Sequence, residues 1–290
     1  MTSVLRLFRD IASESYNDEG FASNTSLEQI DVEAIVCNIY RRFEHKAAID
    51  PSLPKLIRKA HCNVLKDWLM HLPGNYSCLD ASRPWLIYWI LHSLWLLKKL
   101  PDAETLSKVV NFLKQCQHKD GGYGGGPMQH SHLGTTYAAV NALSIIGTDE
   151  AYDSIDRSTL QKFLWTLRDV DGSFALHNGG EQDIRDNKEL IETVLFNQGA
   201  LQEYIIVCCQ SPEGGLIDKP GKPRDIYHTC YTLSGLSVAQ HGTGAGESFV
   251  IGSSETELNR VHPLHNIAPH MVYNAVHYFI RHPPPVKDDN

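Results

Sequence analysis

Two stretches of the sequence match each other and decide the fold. Residues 116–146 read CQHKDGGYGGGPMQHSHLGTTYAAVNALSII, and residues 209–239 read CQSPEGGLIDKPGKPRDIYHTCYTLSGLSVA. They align without a gap at an offset of 93 positions. A second copy lies 51 positions after the first, where FLKQCQHKDG (112–121) recurs as FLWTLRDVDG (163–172). Internal repeats at such spacings indicate one architecture built from similar units.

Each repeat predicts an outer helix, a glycine-rich turn and an inner helix. NFLKQCQ, KFLWTLR and EYIIVCCQ have the apolar spacing of outer-helix ends. The turns DGGYGGG, DGSF and EGGL supply glycines, which adopt positive φ at little cost. TTYAAVNALSIIG and TCYTLSGLSVA carry small residues that let inner helices approach closely. Stacked helix pairs of this size predict an all-α fold, an α-α toroid.

The repeat is interrupted in the middle of the chain. After HNGGEQDIR, an inner helix is expected near residue 186, but residues 186–209 read DNKELIETVLFNQGALQEYIIVCC. This segment resembles another outer helix, with Asp186 as its cap and Glu189 in its first turn. We therefore predict an incomplete toroid with a break near 185–188. The predicted domains are an N-terminal helical arm (1–79), the toroid repeats (80–282) and a disordered tail (283–290).

Composition narrows the class of protein. The net charge is −8 with no long basic run, which argues against a nucleic-acid surface. The most apolar stretch, residues 85–97, is too short to cross a membrane and predicts a buried helix. Seven cysteines contain no CxxC pair, and no export signal is recognisable. These features predict a cytoplasmic protein with no membrane span and no nucleic-acid partner.

Three long strings resemble one known family. LDASRPWLIYWILHSL (79–94), CQHKDGGYGGGPMQHSHLGTTYAAVNAL (116–143) and GGLIDKPGKPRDIYHTCYTLSGLSVAQH (214–241) resemble protein farnesyltransferase β subunits. The resemblance implies transfer of farnesyl from farnesyl diphosphate to the cysteine of proteins ending in CaaX. It also implies an α-subunit partner, a zinc ion that holds the substrate thiolate, and magnesium at the diphosphate.

The family's metal sites are only partly matched. His228, in DIYHTC, matches the histidine ligand of zinc, but the family's D-x-C motif, which holds the other two ligands, does not occur in this chain. The basic residues of the diphosphate pocket have no match either. Asp218, in LIDKPGK, matches the carboxylate that serves magnesium. The resemblance therefore implies an incomplete zinc site and an inactive form of the enzyme.

Other matched positions imply substrate contacts. Trp85 and Trp89 match aromatic residues that contact the aliphatic side chain of CaaX, and Tyr227 matches a tyrosine at the isoprenoid and peptide site. Three more residues match the polar pocket for the last CaaX residue: His132, Glu181 and Arg185.

Structural interpretations stand beside these roles. His228 is also explained as a capped or hydrogen-bonded core histidine, and Trp85 and Trp89, one helical turn apart, by core packing. Lys219, Lys222 and Arg224 fit a solvated turn, and Asp120, Asp171 and Glu213 fit helix caps. Two other functions stay open: a non-catalytic isoform that binds the α subunit and CaaX peptides, and another toroid enzyme such as a terpene cyclase. The cyclase is disfavoured because neither DxDD nor DDxxD occurs.

Overall fold

The structure, a computed structural model, describes residues 8–13, 15–168, 173–177, 179–180, 196–242 and 248–284. Within these ranges the chain is helical, with isolated bridges but no β-strand. The all-α prediction is thus confirmed. The α-helices are α1 (Phe8–Ser13), α2 (Asn24–Ile49), α3 (Arg58–Met70), α4 (Arg83–Leu96), α5 (Ala103–Cys116), α6 (Leu133–Ile146), α7 (Asp149–Asp153), α8 (Arg157–Leu167), α9 (Gln198–Cys208), α10 (Ile226–His241) and α11 (Pro269–Arg281), with 3₁₀ segments at Gly74–Ser82 and Ser254–Thr256.

The turn after each outer helix has the same hydrogen-bonded form. Antiparallel bridges close it at residues 117 and 123, at 168 and 174, and at 210 and 216, which reproduces the offsets of 51 and 93. In two copies a threonine of the following inner helix accepts a backbone hydrogen bond from the turn. Thr136 accepts from the Tyr123 N–H and Thr229 from the Leu216 N–H, each at 2.9 Å. The sequence repeat is therefore a repeat of backbone geometry.

Glycine is required in these turns for two reasons. Gly121 has φ +96° and Gly214 has φ +90°, in the left-handed region that side chains disfavour. A Cβ on Gly121 would overlap the carbonyl group of Thr159 at the start of α8, and one on Gly214 would overlap that of Ala60 at the start of α3. Each turn therefore packs its backbone directly against another outer helix.

A glutamine joins the same pairs of outer helices. The Gln117 side chain, just after α5, accepts from the Asp156 N–H at 3.2 Å and donates to the Asp156 carbonyl at 3.4 Å. Gln210, just after α9, accepts from the Ile57 N–H at 2.9 Å and donates to the Lys55 carbonyl at 3.0 Å. Helix α3 therefore stands to α9 as α8 stands to α5, although residues 1–79 carry no recognisable repeat.

Some local predictions are wrong or lie outside the described residues. The helix predicted from Asp186 does not run unbroken to residue 209, because α9 begins at Gln198 after a non-helical Asn197 whose side chain caps it. Residues 186–195 and 285–290 are not among those described. Asp120 and Glu213 do not cap a helix, because helices α5, α6, α8 and α10 are capped by Asp102, His132, Asp156 and Asp225. Asp171 lies outside the described residues.

Contacts divide the chain into two compact units. The first comprises residues 1–65 and 192–260, and the second comprises residues 66–191 and 261–290. In the first, Tyr40 of α2 packs with Cys208 and Cys209 at the end of α9. In the second, α4 lies against α6. Helix α4 is the apolar stretch read from the sequence and is largely buried, as predicted. None of the helices in the described ranges is long and apolar enough to cross a membrane.

Among the residues that the structure describes, each unit encloses one buried histidine. In the first unit, His61 is fully buried with its Nε2 2.9 Å from the Gln210 Oε1, and burial lowers its pKa to about 4. In the second, His92 stacks between the rings of Tyr88 and Trp95, and burial lowers its pKa to about 3. Both side chains are therefore neutral at pH 7, because the folded state disfavours their charged form.

We expect these histidines to make the fold sensitive to mild acid. Their pKa values are lowered below 6.5. Their contribution to the free energy of unfolding is therefore fully present above pH 6.5 and is lost as the pH falls towards 4 and 3. Each contributes a slope of roughly 1.4 kcal/mol per pH unit in that window. The variant His92→Phe keeps an aromatic ring. Its free energy of unfolding in urea should fall between pH 7 and pH 5 by about 2 kcal/mol less than that of the unsubstituted chain. The exposed control His71→Phe should keep the parent difference, and an unchanged difference in His92→Phe would refute this origin.

Candidate functional site

The predicted site residues fall into two clusters, one in each unit. The first surrounds the start of α10. Asp225 caps this helix, its Oδ1 accepting from the His228 N–H at 2.7 Å. Its Oδ2 lies 2.6 Å from His228 Nδ1. A carboxylate at Nδ1 places the proton there and leaves Nε2 as the atom with a free lone pair. Asp225 therefore fixes both the tautomer and the orientation of the ring.

The Nε2 atom of His228 faces the carboxylate of Asp218. His228 Nε2 lies 3.9 Å from Asp218 Oδ1, and both side chains are partly exposed. A catalytic zinc requires three protein ligands, and the described part of the chain contains no group of three or more histidine, cysteine, aspartate or glutamate side chains that could hold a metal. The residues that the structure describes therefore do not form a catalytic zinc site.

Tyr227 precedes His228 and stands beside it. Its ring meets the imidazole edge-on with centroids 5.1 Å apart, and it packs against Tyr231 one turn later at 4.7 Å. The Tyr227 side chain is 48% exposed. The structure thus brings Tyr227, His228 and Asp218 together at the start of α10.

The basic residues of the turn are held by specific partners. Lys219 lies 2.7 Å and Lys222 3.8 Å from the Glu28 carboxylate on α2. The hydrogen bond and charge of Lys219 lower the pKa of Glu28. Arg224 donates to the Gly214 carbonyl at 2.6 Å. The solvated-turn interpretation is therefore wrong for Arg224, whose side chain holds the glycine turn, and incomplete for the lysines, which α2 engages.

The second cluster is aromatic and lies in the second unit. The Trp85 ring is 5.6 Å from Trp89, 6.0 Å from Tyr88 and 5.7 Å from Tyr137 of α6. Tyr137 is 40% exposed and donates to the His265 carbonyl at 3.1 Å. Neither tryptophan is fully buried. Trp85, Trp89 and Tyr137 therefore pack together and also expose aromatic surface. An aliphatic side chain could pack against this surface.

The predicted polar pocket is described in part. His132 caps α6, its Nδ1 accepting from the Gly134 N–H at 3.0 Å, and its ring lies 5.7 Å from that of His177. His132 and Asp225 occupy equivalent positions, because they are 93 residues apart and each caps an inner helix. Glu181 and Arg185 lie outside the described residues.

Sequence reasoning missed two residues of these clusters. Asp225 was visible as an aspartate three positions before His228, the spacing of a helix cap whose side chain reaches the third residue. Tyr137 carried no comparable signal, because its contact with Trp85 joins two helices far apart in the sequence. Both follow from the fold.

This chain belongs to the prenyltransferase α-α toroid family. The model of the prenyltransferase alpha-alpha toroid domain matches residues 56–189 and residues 186–267. Among individual proteins it is similar to the protein farnesyltransferase subunit beta of Arabidopsis thaliana, 41% identical over 222 residues, which are 72% of this chain and 44% of that protein. The same subunit of Pisum sativum is 40% identical over 173 residues, 58% of this chain and 40% of that protein.

A more distant relative aligns along a greater length. The protein farnesyltransferase subunit beta of Saccharomyces cerevisiae is 27% identical over 369 positions, covering 84% of each chain. The family resemblance inferred from the sequence is thus confirmed. The chain spans less than half the length of the two plant proteins.

Proposed function

We propose that this chain is a short form of a protein farnesyltransferase β subunit. The complete parent would join an α subunit and transfer farnesyl from farnesyl diphosphate to the cysteine thiol of proteins ending in CaaX. The observation that carries this proposal is the similarity to farnesyltransferase β subunits of two plants and a yeast. The pairing of Tyr227, His228 and Asp218 at the start of α10 supports it.

A block of the parent is proposed to be missing near residues 185–188. The two matches to the family model meet at residues 186–189, where the sequence repeat breaks. The yeast alignment extends over 369 positions but includes only 84% of the 290 residues, so roughly a third of its positions hold no residue of this chain. Both flanking repeats keep sharp motifs, which favours removal of a whole block over gradual decay.

The metal sites of the parent are proposed from what remains. His228 would be one zinc ligand, oriented by Asp225, and Asp218 would serve magnesium. The other two zinc ligands and the basic diphosphate pocket are assigned to the missing block. Because this chain lacks a D-x-C motif, we propose that it is inactive as it stands.

The substrate contacts are proposed on the same basis. Trp85 and Trp89 would contact the aliphatic CaaX side chain, since they form a partly exposed aromatic wall with Tyr137. Tyr227 would lie at the isoprenoid and peptide site. His132, Glu181 and Arg185 would line the pocket for the last CaaX residue. A cytoplasmic location is supported by the seven cysteines, none of which forms a disulfide in the structure.

The decisive experiment compares the short chain with its parent. Transcripts of the source should be read across codons 185–188, and both forms co-expressed with a farnesyltransferase α subunit. The parent should transfer farnesyl to a CaaX peptide in preference to geranylgeranyl, and the short form at least about 1,000-fold more slowly, because metal activation supplies several kcal/mol. The α subunit should also raise the soluble yield of the short form. An inactive parent, or a parent that prefers geranylgeranyl, would overturn the proposed function.

Asp218 gives a second test in the parent enzyme. We expect Asp218→Lys to lose most of the stimulation by millimolar Mg²⁺, because a fixed ammonium group replaces the charge of the ion at the diphosphate. The measurement is the transfer rate against Mg²⁺ concentration. Asp120→Lys makes the same charge change at an exposed turn of another repeat and should keep the parent's Mg²⁺ response. An unchanged response in Asp218→Lys would make Asp218 a turn residue only.

A further inference from the structure

One side of helix α4 lines a cavity of about 340 Å³ within the second unit. Leu86 and Ile90 belong to this side, whereas Trp85 and Trp89 do not line the cavity. The end of α3 with the residues after it and one face of α5 complete the wall. This volume is at the small end of the range for pockets that bind small molecules. None of the site residues discussed above lines it.

The wall of the cavity is almost entirely apolar. Trp68, Leu86, Ile90 and Val109 are each less than 10% exposed and form its interior. Met70 is 55% and Leu72 44% exposed, and both also line the cavity. A buried apolar interior that continues into exposed apolar residues offers a path by which a long apolar chain can enter from water.

The two charged residues of the lining are cations, Arg83 and Lys108, and each is paired with a carboxylate that lies outside the lining. Arg83 pairs with Asp80, and its guanidinium lies 5.9 Å from the centre of the Phe112 ring. Lys108 pairs with Glu104 at 2.7 Å. Because each cation of the lining already has a carboxylate partner, an anionic head group would gain less from these cations than from unpaired ones. The cavity is therefore complementary to a neutral molecule.

We propose that this cavity binds a neutral molecule with a single long apolar chain, such as a linear terpenoid or fatty alcohol. The apolar interior supplies the affinity by removing the chain from water, and the paired charges discriminate against a phosphorylated or carboxylated chain. Its lining includes none of the residues matched to the family's substrate and metal sites, and the inference does not depend on the proposed function.

Binding is measured with the purified full chain and Nile red, a neutral dye whose fluorescence rises in apolar surroundings. We expect 1-decanol, below its solubility limit, to displace the dye at a concentration at least tenfold lower than decyl phosphate. Equal displacement by the two compounds, or none by decanol, would overturn the proposal.

Three variants locate the binding. Thr105→Phe places a ring in the lining from a half-buried position on α5 and should weaken decanol binding at least tenfold. Asn111→Phe adds the same ring to an exposed position of α5 outside the cavity and should change it less than twofold. Glu104→Gln leaves Lys108 without its carboxylate partner and should improve decyl phosphate binding several-fold without affecting decanol. Equal affinities in the two phenylalanine variants, both folded by circular dichroism, would place the dye elsewhere and refute the site.

Discussion

Replacing Gly214 with alanine should destabilise the protein by about 3 kcal/mol or more. Gly214 has φ +90°, and a Cβ would stand 2.5 Å from the carbonyl carbon of Ala60. The obstacle is the backbone at the start of α3, which cannot turn aside as a flexible side chain could. Relief would have to separate α3 from the turn, and that movement would also break the Gln210 hydrogen bonds to Lys55 and Ile57.

The same substitution at Gly235 is the matched control. Gly235 lies inside α10 and does not have a positive φ. A Cβ at this position would meet no atom within 4 Å outside its own stretch of helix. Alanine there should stabilise the helix by roughly 0.5–1 kcal/mol, since it restricts the unfolded chain and favours helix. Urea unfolding followed by circular dichroism measures both. Equal stabilities of the two variants would show that the turn accommodates a side chain and that the repeat is held by other contacts.

The purified chain should retain less than about 0.1 zinc per molecule after dialysis against metal-free buffer. A single histidine, even one oriented by Asp225, provides neither a chelate nor an enforced geometry. Asp218 adds at most one oxygen ligand at the surface, and a carboxylate alone favours hard cations over zinc. Metal analysis of the dialysed chain gives the stoichiometry directly.

The parent form, with its block restored, supplies the positive control and should hold about one zinc per molecule. Zinc that stayed on the short chain at one per molecule, and was lost on His228→Ala, would contradict the incomplete site. Zinc retained by His228→Ala as well would also contradict the expected stoichiometry and would show that residues other than His228 hold the ion. The two outcomes are separated by the same measurement on two proteins.

The sequence by itself determined the repeating unit. Glycine pairs at an offset of 93, apolar spacing before them and small residues after them predict outer helix, turn and inner helix, because these are local preferences of the backbone. The same local signals predict an interruption near residues 185–188. They also identified α4 as a buried helix. The strings 79–94, 116–143 and 214–241 were sufficient for the family, since long motifs are specific even in a short chain.

Tertiary structure decided which distant residues meet. Gln210 joins the end of α9 to Ile57, Glu28 engages Lys219, and Tyr137 packs on Trp85, each across a large separation in the sequence. None of these pairs has a local signature, because a glutamine or glutamate on a helix surface is compatible with solvent as well as with a partner. The role of α3 as an outer helix was hidden for the same reason. The residue types fix each turn and helix, whereas the packing of one backbone against another fixes which turn meets which helix.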